Sequence, residues 1–150
     1  MVKEDKITKI TKFILDIMFY SGSLICFLLP FIFKFAGKWY PTFQTHYISM
    51  CVLFFISGML AVFIIKELRK MFQTVMNGNC FIEENVKCLK KMAKYSLGIS
   101  IVTSIRLWII ITPATLIIIL VFFIAGLFSQ VLSKVFEQAV QYKIENDLTI

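Results

Sequence analysis

The residues able to do chemistry are few, and the chain keeps them apart. The one histidine, His46, sits between two apolar stretches, far in sequence from Cys80 and Cys88. Those two cysteines are separated by seven residues, which is not a zinc-ligand spacing. No glycine pattern that cradles phosphates or a dinucleotide occurs, and the many Ser and Thr residues have no base beside them. Glu83 and Glu84 open a segment that reads as a helix, where carboxylates complement the positive end of the helix dipole. No catalytic residue, metal site or cofactor is therefore expected, and the chain does not read as an enzyme. Two ionisable residues remain, Asp16 and Arg106, each inside an otherwise apolar stretch, where a charge points to function by default.

The elements that must position these residues follow from composition. The chain has 150 residues, 59% of them hydrophobic, and its mean hydropathy is +0.82. Ordinary globular chains run nearer about 45–50% apolar, and a chain of this length hides only about two-thirds of its unfolded surface. Lipid must supply the missing burial, in one membrane domain covering 1–150. The net charge of +7 gathers at helix ends: Lys3, Lys6, Lys9 and Lys12, then Lys66, Arg69, Lys70, Lys87, Lys90, Lys91 and Lys94. That is the bias of cytoplasmic loops, so no direct nucleic-acid binding is expected. Cys26 and Cys51 fall in apolar spans and Cys80 and Cys88 in a cytoplasmic loop, so no disulfide framework is expected. The first apolar stretch is too long for a signal peptide and lacks a cleavage site after it, so it is expected to stay in the protein.

Hydropathy predicts an all-α integral membrane fold with four transmembrane helices, at about 13–35, 47–65, 95–111 and 114–132, and with both termini in the cytoplasm. The second span holds 19 residues without a charge, or ~29 Å of helix, which matches the hydrocarbon thickness. Trp39, Tyr40, Pro41 and Tyr47 mark an outward loop and its edge. Thr112-Pro113 reads as N-cap and first helical residue of the fourth span. A three-span alternative, with 107–133 crossing as one helix, leaves the apolar segment 95–105 without lipid or core. Small residues recur at helical spacing: Ser57 and Ala61; Ser96, Ser100 and Ser104; Ala125, Ser129 and Ser133. Such stripes serve close helix packing or, alternatively, a hydroxyl-lined path. Asp16 should lie near the inner edge and snorkel or meet a hydroxyl. Arg106 should lie toward the outer leaflet, their depths ~12 Å apart, too far for a pair.

Spans two and three extend into a cytoplasmic hairpin over 66–94. Leu68, Met71, Phe72, Val75 and Met76 share one helix face, and Lys66, Glu67, Arg69, Lys70 and Gln73 cover the other. Asn77-Gly78-Asn79 breaks the helix, with Gly78 in the left-handed C′ position. Ile82, Val86, Leu89 and Ala93 then form the apolar face of a second helix, with Glu83, Glu84, Lys87, Lys90, Lys91 and Lys94 toward water. From Leu132, the end of the fourth span, Val135, Phe136, Ala139 and Val140 continue a stripe into a cytoplasmic tail over 133–150; Ile7, Ile10 and Ile14 make one near the start. These four extensions are expected to bury one another as a small bundle, lie on anionic lipid, or receive a partner helix.

Two stretches carry a family likeness. Glu67-Leu68-Arg69-Lys70-Met71-Phe72, with Gly78-Asn79-Cys80-Phe81-Ile82-Glu83-Glu84-Asn85-Val86-Lys87, resembles the central motif of the bacterial membrane-protein family called domain of unknown function 2975. The ending Glu145-Asn146-Asp147-Leu148-Thr149-Ile150 is similar to that family's closing motif. The resemblance implies four membrane helices, no assigned enzymatic activity, and a genetic neighbour of the Cro/CI helix-turn-helix type. Cys80 departs from the pattern, which has Pro there, and this gives up a fixed φ at the helix start.

The expected function is that of a non-enzymatic regulator or adaptor in the bacterial cytoplasmic membrane, holding a soluble helix-turn-helix protein through its cytoplasmic helices. Its contact residues would be Leu68, Phe72, Gly78, Asn79, Phe81, Glu83, Glu84, Asn85, Glu145, Asn146 and Asp147, with Phe72 and Phe81 as apolar anchors and the charges setting specificity. The alternatives are a small proton- or ion-coupled transporter or channel, working as a homo-oligomer, and an immunity or envelope-stress protein. The bilayer itself is the one partner that composition demands.

Overall fold

The computed structural model describes residues 6–39, 41 and 45–148. They form four helices: α1 (Lys6–Ala36), α2 (Tyr47–Met76), α3 (Glu83–Arg106) and α4 (Pro113–Leu148). α1, α2 and α4 are each long and apolar enough to cross a membrane, which marks the chain as a membrane protein. Expectations for Lys3, Tyr40, Thr149 and Ile150 lie outside the described residues.

The helices run antiparallel in a row. α1 packs on α2, α2 on α3 and α3 on α4, and no other pair of helices is in contact. Asp16 of α1 meets Arg69 of α2, Lys91 of α3 faces Glu67, and Lys90 meets Glu137 of α4. The start of α1, the α2–α3 turn and the end of α4 therefore share one end of the row. At the other end Phe33 packs edge-on against Phe54 and Arg106 reaches Thr115. The expected four-part bundle does not form at the shared end. α1 touches neither α3 nor α4, and Ile7, Ile10 and Ile14 stay exposed. α1 can reach only the far side of α2, so its isoleucine stripe finds no protein surface to cover it.

α3, packed between α2 and α4, is the most buried helix, and its buried positions include Ala93, Ser96, Ser100 and Thr103. Small residues there let α4 approach. A Cβ on Gly126 would stand 2.8 Å from Leu97 Cγ and 3.3 Å from the Ala93 carbonyl oxygen. Three of the hydroxyls donate to backbone acceptors. Ser100 donates across the interface to the Ile119 carbonyl at 3.2 Å, Ser104 to Ser100 and Ser133 to Gln130. These stripes serve packing.

α2 closes as the break signal requires. Gly78 has φ +77°, its N–H bonds the Val75 carbonyl and that of Asn79 bonds Thr74, which is the Schellman arrangement. α4 starts at Pro113 with Thr112 as cap, the Thr115 N–H donating to Thr112 Oγ1 at 3.3 Å. The third span needs correction. Its helix stops at Arg106 rather than running to Ile111, and residues 107–109 form a turn. The Arg106 carbonyl accepts from both Ile109 and Ile110, a tightened last turn. Three isoleucines and a threonine precede Pro113; β-branching weakens helix there, and the residue before proline is pushed out of the α region.

Replacing Gly126 by Leu should overpack the α3–α4 interface and cost roughly 1–3 kcal/mol. It would be read as a lowered melting temperature in detergent, and an unchanged value would contradict this account of the interface.

Candidate functional site

Asp16, Glu67, Arg69, Asn85 and Cys88 gather at the end that carries the hairpin, and most of them tie helices together, while Arg106 and His46 stand at the other end. Asp16 does not meet a hydroxyl. It accepts a hydrogen bond from Arg69 Nε, and the Arg69 guanidinium also lies over the rings of Phe19 at 4.6 Å and Tyr20 at 5.5 Å. Asp16, Phe19 and Tyr20 stand at i, i+3 and i+4 on α1, so one face grips one cation by charge and by ring quadrupole. Arg69 was expected on a face toward water; here it is half-buried and locks α1 to α2. Asp16 and Arg106 hold different partners, consistent with their separate depths.

Glu67 also departs from expectation. It is 4% exposed, set in the α2–α3 interface with Lys70 Nζ at 3.7 Å and Lys91 Nζ at 3.8 Å. α2 is covered on two faces, by α1 and by α3, so a helix with one apparent apolar stripe buries part of its charged side as well. Beside Glu67 lies Cys88, whose thiol is pushed up to about 12 by burial first and by the Glu67 carboxylate next. The thiol therefore stays neutral at physiological pH.

Asn85 was expected among partner contacts but is 0% exposed. Its Nδ2 donates to the Cys80 carbonyl at 2.7 Å, and its Oδ1 accepts from the Thr74 hydroxyl at 2.8 Å. It closes the hairpin turn from within, which anchors the tip at Cys80 in the absence of proline. A buried amide needs such partners.

The other proposed contact residues divide by exposure. Leu68 and Phe72 are half-buried, while Gly78, Asn79, Glu83 and Glu84 are exposed at the tip. Phe81 is 46% exposed, with its ring 5.2 Å from that of Phe136 on α4. Glu145, Asn146 and Asp147 lie on the exposed last turns of α4, away from the tip in sequence but on the same end of the row. Between α3 and the tail of α4 runs a groove of about 230 Å³, bordered by Glu83, Val86, Lys90, Val140 and Ile144. Lys90 and Glu137 bridge its wall at 3.0 Å. Among the described residues, no three His, Cys, Asp or Glu side chains converge. Sequence reasoning missed Glu67 and Arg69 as tie points. An aspartate just inside one span, with an arginine just beyond the next, was the available signal for the second.

A row of antiparallel helices, three of them long and apolar enough to cross a membrane and with charged ties at one end, defines a helical membrane protein. The chain belongs to the family described as protein of unknown function (DUF2975), which it matches over residues 31–150. Neither a curated protein nor a solved structure matches it.

A thiol held neutral by the fold should react slowly. With a maleimide at pH 8, the half-exposed Cys80 should be modified well before Cys88, as read by peptide mass spectrometry. The fold's contribution through Cys88 is complete below the ordinary thiol value of 9.0 and is lost as pH rises from there toward about 12. Equal labelling of the two at pH 8 would contradict this placement of Cys88.

Proposed function

We propose that this protein is a non-enzymatic regulator of a bacterial cytoplasmic membrane that holds a cytosolic partner on its hairpin platform. In this reading all four helices cross, with both termini and the α2–α3 turn inside. α3 crosses with less apolar surface than the others because α2 and α4 cover it. The unwound residues 107–112 then lie toward the outer face, where Trp108, 94% exposed, suits the headgroup level.

The observation that carries the proposal is the continuity of the platform with the membrane part. α2 is one helix from Tyr47 to Met76 and α4 one helix from Pro113 to Leu148. Phe81 against Phe136 and Lys90 against Glu137 join the hairpin to the tail. A surface built this way is ordered before a partner arrives, which lowers the entropy cost of binding. Glu83 and Glu84 stand exposed beside Phe81, an acidic rim around an apolar anchor. A basic partner surface fits this rim, and a small helix-turn-helix regulator, the partner type suggested by the family likeness, is the one we favour. The transporter reading gains no support from Asp16, which is engaged by Arg69 rather than facing a cavity.

Tagged protein purified from its native membranes in mild detergent should bring down a soluble helix-turn-helix protein. The Glu83→Lys/Glu84→Lys variant should lose it while keeping its folding stability to within about 2 kcal/mol, since it alters an exposed helix start and one exposed ion pair. Recovery of the chain alone, or unchanged recovery with the variant, would count against the proposal.

A further inference from the structure

The face of α2 between α1 and α3 is bare, because those two helices do not touch. It forms the floor of a groove of about 310 Å³. Ala61 keeps the floor low, Gly58 lets Cys26 of α1 approach it closely, Leu29 and Ile99 are among its walls, and Phe54 and Arg106 stand at one end. From Phe54 to Ala61 the floor runs ~10 Å. Apart from Ser57, Thr103 and Arg106, the residues lining the groove are apolar.

Arg106 is under-used there. It donates through Nη2 to Thr115 Oγ1 at 2.7 Å and lies over the Phe54 ring at 4.6 Å. Among the described residues no carboxylate lies within ion-pair distance of it. A guanidinium has five donors in a fork that matches a carboxylate, and charges at membrane depth are as a rule paired. Thr115 and Phe54 leave its charge uncompensated, so an anion from outside the chain would complete it. Arg106 is level with Phe54, seven residues or ~10 Å inward from the start of α2. A small head on one chain can be drawn to that depth. A groove of about 310 Å³ is of the order of one alkyl chain rather than two, which favours a single-chain carboxylate over a two-chain phosphodiester.

We propose that this groove binds a single-chain carboxylate amphiphile, a long-chain fatty acid, with its carboxylate on Arg106, the first half of its alkyl chain along the α2 floor between α1 and α3, and the rest in the surrounding lipid. The site is separate from the hairpin platform, and it rests only on the placement of this end of α3 in the membrane.

The nearby, exposed Trp108 reports on it. The full chain, with Trp39 replaced by Phe so that Trp108 is the one remaining tryptophan, is reconstituted in phosphatidylcholine vesicles and titrated with 5-doxylstearate. Saturable quenching of Trp108, reversed by excess palmitate, is expected. Arg106→Gln should weaken the saturable phase by about tenfold or more, the loss of a charge-assisted bidentate contact. Arg106→Lys should keep part of it, and Ala61→Leu, which fills the floor and leaves the cation in place, should weaken it severalfold. Melting temperatures identify any variant that does not fold, and the ester control needs only the Trp39→Phe chain. Equal saturable quenching by the methyl ester of 5-doxylstearate would overturn the proposal, since charge would then play no part. So would the absence of a saturable phase. Arg106-dependent quenching by a 5-doxyl phosphatidylglycerol, with none by the free acid, would assign the site to bilayer phospholipid instead and overturn the fatty-acid assignment.

Discussion

The arrangement rests on the covering of α3. This helix carries buried serines, a threonine and an asparagine, and its composition would be a poor match to lipid. In hydrocarbon a backbone helix is satisfied but its polar side chains are not, so such a helix must be flanked by protein. α2 and α4 do this, and the row follows. With both faces of α3 taken, α1 can add only to the open face of α2. The price of a row is an uncovered concave face, which is why a four-helix chain of this size has a groove along α2 rather than a closed core.

A second constraint acts where the helices leave the apolar region. Long helices that pass from lipid to water can slide or splay, and here charges at the crossing hold them. Arg69 binds Asp16 and two rings of α1. Glu67 lies between α2 and α3 with two lysines near it. Asn85 fixes the turn beyond. Removing one partner of a buried charged tie leaves the other uncompensated, so these residues matter to the shape of the platform more than to its surface. The motif from Glu67 to Asn85 is therefore largely a set of clamps, and the part that the clamps leave exposed is Gly78, Asn79, Phe81, Glu83 and Glu84.

Much of this was legible in the sequence. The uncharged run of α2, the glycine break at Gly78 and the Thr112-Pro113 start each depend on local chemistry, and local chemistry is what a sequence displays. The end of α3 was misjudged because hydropathy sees Leu107 to Ile111 as membrane material, whereas β-branching and the proline ahead decide its backbone. Glu67 and Arg69 were misplaced for a different reason. A single amphipathic stripe implies one covered face, and α2 has two. Asn85 looked available because asparagine near a turn so often faces water, and only the position of Thr74 and Cys80 reveals its use. Which helices are neighbours in the row is a tertiary fact that no periodicity encodes.

The central claim is that α3 crosses the membrane under cover of its neighbours, which puts the end of α4 on the same side as the hairpin. Single cysteines at Asn79 and at Lys143, in a chain otherwise free of cysteine, can be labelled in intact cells and in inverted vesicles with a reagent that does not cross membranes. Both positions labelled in inverted vesicles and neither in intact cells is the predicted result. Lys143 reacting in intact cells while Asn79 does not would mean that α3 fails to cross, and would contradict the account.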